Sequence, residues 1–116
     1  QYLKSMNVAY NNQLNNLREI GKNHAQAKRK VTILEHGRQI LLADLMKKYM
    51  LAGEKTVAGQ DREARADDKY KTHIEALGYA IEEELKWAWE KRIVEINFEK
   101  WKTNMINNTI ERKHYG

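Results

Sequence analysis

Proline is absent from the 116 residues, glycine occurs six times and cysteine not at all. Without proline, little besides a few glycines can interrupt a helix, and the β-branched residues are too scattered to build strands. The missing cysteines exclude disulfides, thiolate metal sites and thiol nucleophiles, which is compatible with a reducing compartment. Long apolar runs are also missing: even Ile40 to Leu45 is broken by Asp44. No secretory signal or membrane span is therefore expected, and the chain reads as soluble with no membrane partner. Because it opens on Gln1 rather than Met, trimming at this end is expected.

What is present is helical. With 41% hydrophobic and 32% charged residues, the chain is too apolar and too periodic for a disordered tail and suits one all-α domain. Ala27, Val31, Leu34, Leu41, Leu45 and Tyr49 make one stripe, interrupted by Arg38, and predict a first long helix over 25–52. Gly53 follows as its C-cap, and the turn occupies 53–60 with Thr56 as the next N-cap, Asp61 being the fallback start. A second long helix is expected over 61–112, kinked near 67–68 where Asp67 and Asp68 look like a fresh N-cap. So short a connection favours antiparallel neighbours.

Residues 1–23 place Leu3, Met6, Tyr10, Leu14 and Leu17 at helical spacing among many Asn residues. This reads as an additional, weakly stable N-terminal helical segment that depends on docking, with Gly21 a weak point.

All three Trp residues and the one Phe fall between Tyr79 and Ile106. At about 100° per residue, Tyr70, Ile74, Leu77, Ile81, Leu85, Trp89, Ile93 and Ile96 form one stripe of the second helix. Trp87, Val94, Phe98, Trp101 and Met105 form another, nearly opposite. The hairpin partner is expected to cover the first stripe. The second is left for the N-terminal segment or for another subunit. Two helices alone make a thin core, so the expected architecture is a long, coiled-coil-like antiparallel hairpin assembled into an oligomeric bundle, with Trp87, Val94, Phe98, Trp101 and Met105 as the subunit interface.

No catalytic constellation is found. The histidines at 24, 36, 73 and 114 fit no metal-binding spacing. His73 and Glu75 echo the His-x-Glu of zinc deaminases but lack the cysteine ligands. Glu82, Glu83 and Glu84 point about 100° apart and cannot converge, and Gly53 to Gly59 lacks the Lys-Ser/Thr ending of a phosphate loop. A non-enzymatic protein without cofactor or metal is expected.

The formal charge of +5 is uneven: residues 1–60 hold ten Lys/Arg against four Asp/Glu, residues 61–116 eleven against twelve. Lys22, Lys28, Arg29, Lys30, Arg38, Lys47 and Lys48, with Lys55 beyond, line the first helix as candidate phosphate contacts for single- or double-stranded DNA. Solubility and pairing with acidic residues of the second helix is the plainer explanation. Lys86 to Arg92, KWAWEKR, alternates aromatic and basic residues as a stacking platform would, although Trp at helical spacing is more often core or interface.

The stretch from Ala25 to Thr103 combines a helix, a Gly-x-Lys-Thr-Val-Ala turn, an Arg-x-Ala-Arg-Ala segment, an Asp before Tyr-Lys and a long Trp-bearing helix. It resembles a loose group of small helical-hairpin proteins of tailed bacteriophages, whose genes often sit among replication and recombination functions. The resemblance implies an accessory protein in the host cytoplasm, binding DNA or a phage or host DNA-processing protein in replication or recombination. An alternative is an inhibitor or adaptor that docks an apolar helix face on a host or phage enzyme.

Overall fold

A computed structural model describes residues 2–115, with side chains described as far as residue 113. Three helices follow one another: α1 (Tyr2–Leu51), α2 (Val57–Ala66) and α3 (Asp68–Tyr115). The described residues contain no strand, and the fold is an all-α helical hairpin. The expected N-terminal segment and first long helix are one helix of 50 residues. Gly21 does not break it, since an interior glycine costs a helix only about 1 kcal/mol and no proline removes a backbone bond.

The chain divides into two compact units. The central unit comprises Gln26–Leu85, and the terminal unit comprises Gln1–Ala25 with Lys86–Gly116.

In the central unit, α1 ends in a Schellman turn. Gly53 takes a φ of +111°, its N–H donates to Met50, and the Glu54 N–H reaches back to the Tyr49 carbonyl. Thr56 caps α2 by accepting from the Gly59 N–H at 3.0 Å. Asp67 then ends α2 and starts α3: its backbone N–H still bonds Ala64, while its carboxylate accepts from the Lys69 N–H at 2.8 Å. The expected break at 67–68 is therefore a single extended residue.

Leu45, Ala64 and Tyr70 form the buried core here, flanked by Leu41, Leu42, Met46 and Tyr49. Ala64 is fully covered, so its methyl-sized side chain is what lets the short α2 lie close. On α3 the covered residues are Tyr70, His73, Leu77 and Ala80, at alternating spacings of three and four. Ile74, Ile81 and Leu85, expected on the covered side, are 39%, 39% and 55% exposed. Both stripes share Tyr70 and Leu77; between them the covered residue is the one three positions on, His73 and Ala80, and not the isoleucine four positions on.

His73 sits in this seam because α1 carries Gly37 opposite it. Its Nε2 donates to the Leu34 carbonyl at 2.7 Å, and a Cβ on Gly37 would meet the ring at 3.1 Å. Gly78, by contrast, has open space around it. Gly78→Ala should raise stability by about 1 kcal/mol through helix propensity. Gly37→Ala should show no such gain or a net loss, read from thermal melts of the two variants side by side.

The same corner carries an acid-sensitive contact. Tyr49 Oη donates to the Asp67 carboxylate at 2.7 Å and Lys48 Nζ at 3.3 Å. The Tyr49 bond first, then the Lys69 N–H, lowers the Asp67 pKa from 3.8 to about 2. A depressed carboxylate stabilises the fold fully above its unfolded value and loses that contribution as pH falls through its folded value. Melts of the wild type should therefore lose stability between about pH 4 and pH 2. Asp67→Asn should start lower at neutral pH and show a smaller acid-induced drop.

Candidate functional site

The terminal unit holds the aromatic stretch. Within it, Trp87, Lys91, Val94, Phe98, Trp101 and Met105 follow the three-four spacing on one side of α3. The facing part of α1 supplies Met6, Tyr10, Leu14 and Leu17. Phe98 is buried, with the Tyr10 ring 5.8 Å from it and Trp101 stacked at 6.1 Å. Tyr10 also lies 6.2 Å from Trp101, and Lys102 Nζ sits 4.9 Å above Phe98. The stripe expected at a subunit interface is thus packed inside its own unit against the N-terminal part of α1. Of the two occupants the sequence left open, the intramolecular one is present.

The opposite side of α3 is uncovered. Trp89 is 69% exposed, Ile93 46% and Ile96 43%. Their spacing is four then three, the d-a-d pattern of a coiled-coil seam. The preceding and following a positions are Lys86 and Lys100, both exposed. Nearby charges are partly engaged: Arg92 reaches Glu95 at 3.6 Å, Lys102 reaches Glu99 at 2.8 Å, and Lys86 Nζ lies 5.0 Å over Trp87. Between Arg92, Ile96, Lys100 and Asn104 the surface forms an open trough. Glu95 and Glu99 line the same trough, so the face offers apolar contact over two helical turns beside charges of both signs.

The paired Trp platform is not formed. Trp87 belongs to the covered seam and Trp89 to the outer one, because two residues apart on a helix point about 200° apart.

Of the basic residues predicted for DNA, Lys22, Lys28, Arg29, Lys30 and Lys47 are exposed. Arg38 is drawn into the α1 seam, where its guanidinium lies 3.4 Å from Glu35. Hydrogen bonding to Tyr70 is the main cause that raises its pKa, against partial desolvation. Lys48 pairs with Asp67 at 3.3 Å. The division into units also redistributes the charge. The central unit carries eleven Lys/Arg and eleven Asp/Glu, whereas the terminal unit carries ten against five and so the whole net charge of +5.

Among the described residues no three His, Asp or Glu side chains gather as a metal site, and the side chain of His114 lies outside the described residues. No helix is long and apolar enough to cross a membrane. The sequence places Trp89, Ile93 and Ile96 in the stripe that the hairpin partner was expected to cover, and the structure leaves all three outward. No protein-family model, curated protein or solved structure matches the chain.

Proposed function

We propose that the chain is a non-enzymatic docking module, a helical hairpin that presents the outer face of α3 around Trp89 to another protein. The observation that carries this reading is the 69% exposure of Trp89 in a unit where Tyr10, Phe98 and Trp101 pack on one another. A soluble surface rarely leaves Trp and two Ile contiguous unless something binds there. A photo-crosslinking residue at Trp89, used in cells that make the protein and followed by nuclease treatment, should give one dominant protein adduct. Ile93→Ser with Ile96→Ser should abolish it. If no adduct depends on those two residues, the docking reading falls.

A second reading keeps direct DNA contact, in the replication or recombination setting that the sequence resemblance implies. Lys28, Arg29 and Lys30 favour it: all three are exposed and make no ion pair among the described residues. Affinity for DNA should then fall steeply with salt and vanish when the three are changed to Glu. Absence of binding at low salt would remove it.

A further inference from the structure

In the terminal unit, the side of α1 turned away from α3 is polar and largely free of carboxylates. It is exposed at Lys4, Ser5, Val8, Asn11, Asn12 and Asn15, then at Arg18, Glu19 and Lys22. No Asp or Glu precedes Glu19. Asn11, Asn12 and Asn15 lie in the interior of a 50-residue helix, where they cap nothing, and their amides make no hydrogen bond among the described residues. Asn is a poor helix former because its amide competes for backbone groups, so Lys, Gln or Glu would serve an ordinary solvated face better. Residues that go against a local preference with no gain inside the fold are expected where something outside the chain uses them.

We propose that this side of α1 lies in the major groove of duplex DNA and reads A·T base pairs. A helix about 10–12 Å across fits a groove about 12 Å wide. At 1.5 Å per residue, Lys4 and Arg18 are about 21 Å apart along the axis, so the end cations reach past the groove edges to phosphates while the residues between them meet the base edges. A carboxamide presents a donor and an acceptor that match adenine N6–H and N7, and Val8, 59% exposed, is an apolar contact for the thymine methyl. Lys22 adds a phosphate contact one turn beyond Arg18, and Arg112 of α3, 3.8 Å from the Tyr2 ring, brings a further cation to the start of α1. Glu19 opposes this charge at one end. The other carboxylates of the unit are on α3, where Glu95 and Glu99 are paired with Arg92 and Lys102. The site requires neither the Trp89 face nor the row of Lys28, Arg29 and Lys30.

Fluorescence anisotropy at low salt, with labelled duplexes about two helical turns long, tests it. The wild type should bind an A·T-rich duplex about tenfold tighter than a G·C-rich one. An RNA duplex of matching A·U sequence should compete no better than the G·C-rich DNA, because its major groove is too narrow for side chains to read. Asn11→Ala with Asn15→Ala should erase the A·T preference and leave the weaker G·C binding in place. Ala favours the helix, so unfolding is not a route to that result. Arg18→Gln with Lys22→Gln should weaken binding to both DNA duplexes alike and flatten the salt slope by about two, and Glu19→Gln should tighten both. Equal affinity of the wild type for the two duplexes, an A·T preference that survives loss of both Asn residues, strong competition by the RNA duplex, or no binding at low salt would each overturn the proposal. If binding responds only to changes at Lys28, Arg29 and Lys30, the second reading above stands and this side of α1 is not the site.

Discussion

Replacing Phe98 with Ala should lower the unfolding free energy by about 3 kcal/mol, at the low end for a buried Phe because the site is a two-helix contact and can partly collapse. Phe98 is 8% exposed and packs in a three-ring cluster with Tyr10 and Trp101. The loss should be the same at every protein concentration, because the covering residues come from the same chain. Trp89→Ala serves as the comparison. It removes a larger side chain, but one already in water, and should change stability by less than about 0.5 kcal/mol. Denaturant melts at two well-separated protein concentrations measure both effects. A Phe98 penalty that shrinks on dilution would mean that another subunit supplies the cover.

Leu45→Ala should be the comparable loss in the central unit, again about 3 kcal/mol. Leu45 is 4% exposed and is the one large aliphatic side chain of the buried core it makes with Ala64 and Tyr70. Truncating it leaves a gap beneath α2, a helix of 10 residues held otherwise by its caps and by Ala64. Helices this short are not stable alone. Hydrogen exchange should therefore show the amides of Val57–Ala66 opening before those of the surrounding α1 and α3 segments in the variant. Uniform loss of protection in all three would mean that α2 is not separately dependent on Leu45.

Much of this was legible in the residues because it rests on local chemistry. Gly53 reads as a C-cap since only a residue without Cβ takes a φ of +111° cheaply. Thr56 and Asp67 read as N-caps because their side chains can accept from backbone N–H groups that a helix start leaves unpaired. The stripe from Ala27 to Leu45 was visible as well, with Arg38 as its interruption; the structure shows Arg38 held in the seam by Glu35 and Tyr70. The covered face of α3 was misread. Its seam runs through His73, Ala80 and Lys91, residues that hydropathy does not mark, while Ile74, Ile81 and Leu85 face water. Nothing in the residues of α3 alone reveals that Gly37 on α1 makes room for His73. The basic row on α1 was visible too. That the net charge of +5 falls on the terminal unit, while the central unit sums to zero, was not, since it depends on which segments pack together.

The central claim is that α1 covers the Phe98 and Trp101 side of α3 and leaves Trp89 outward. A soluble paramagnetic agent, added to labelled protein across a dilution series, tests it through the three indole N–H signals. The Trp89 signal should broaden strongly while those of Trp87 and Trp101 stay comparatively protected, and the difference should persist at the lowest concentration. Equal broadening of Trp89 and Trp101, or protection of Trp101 that disappears on dilution, would contradict the packing of the N-terminal part of α1 on that side of α3.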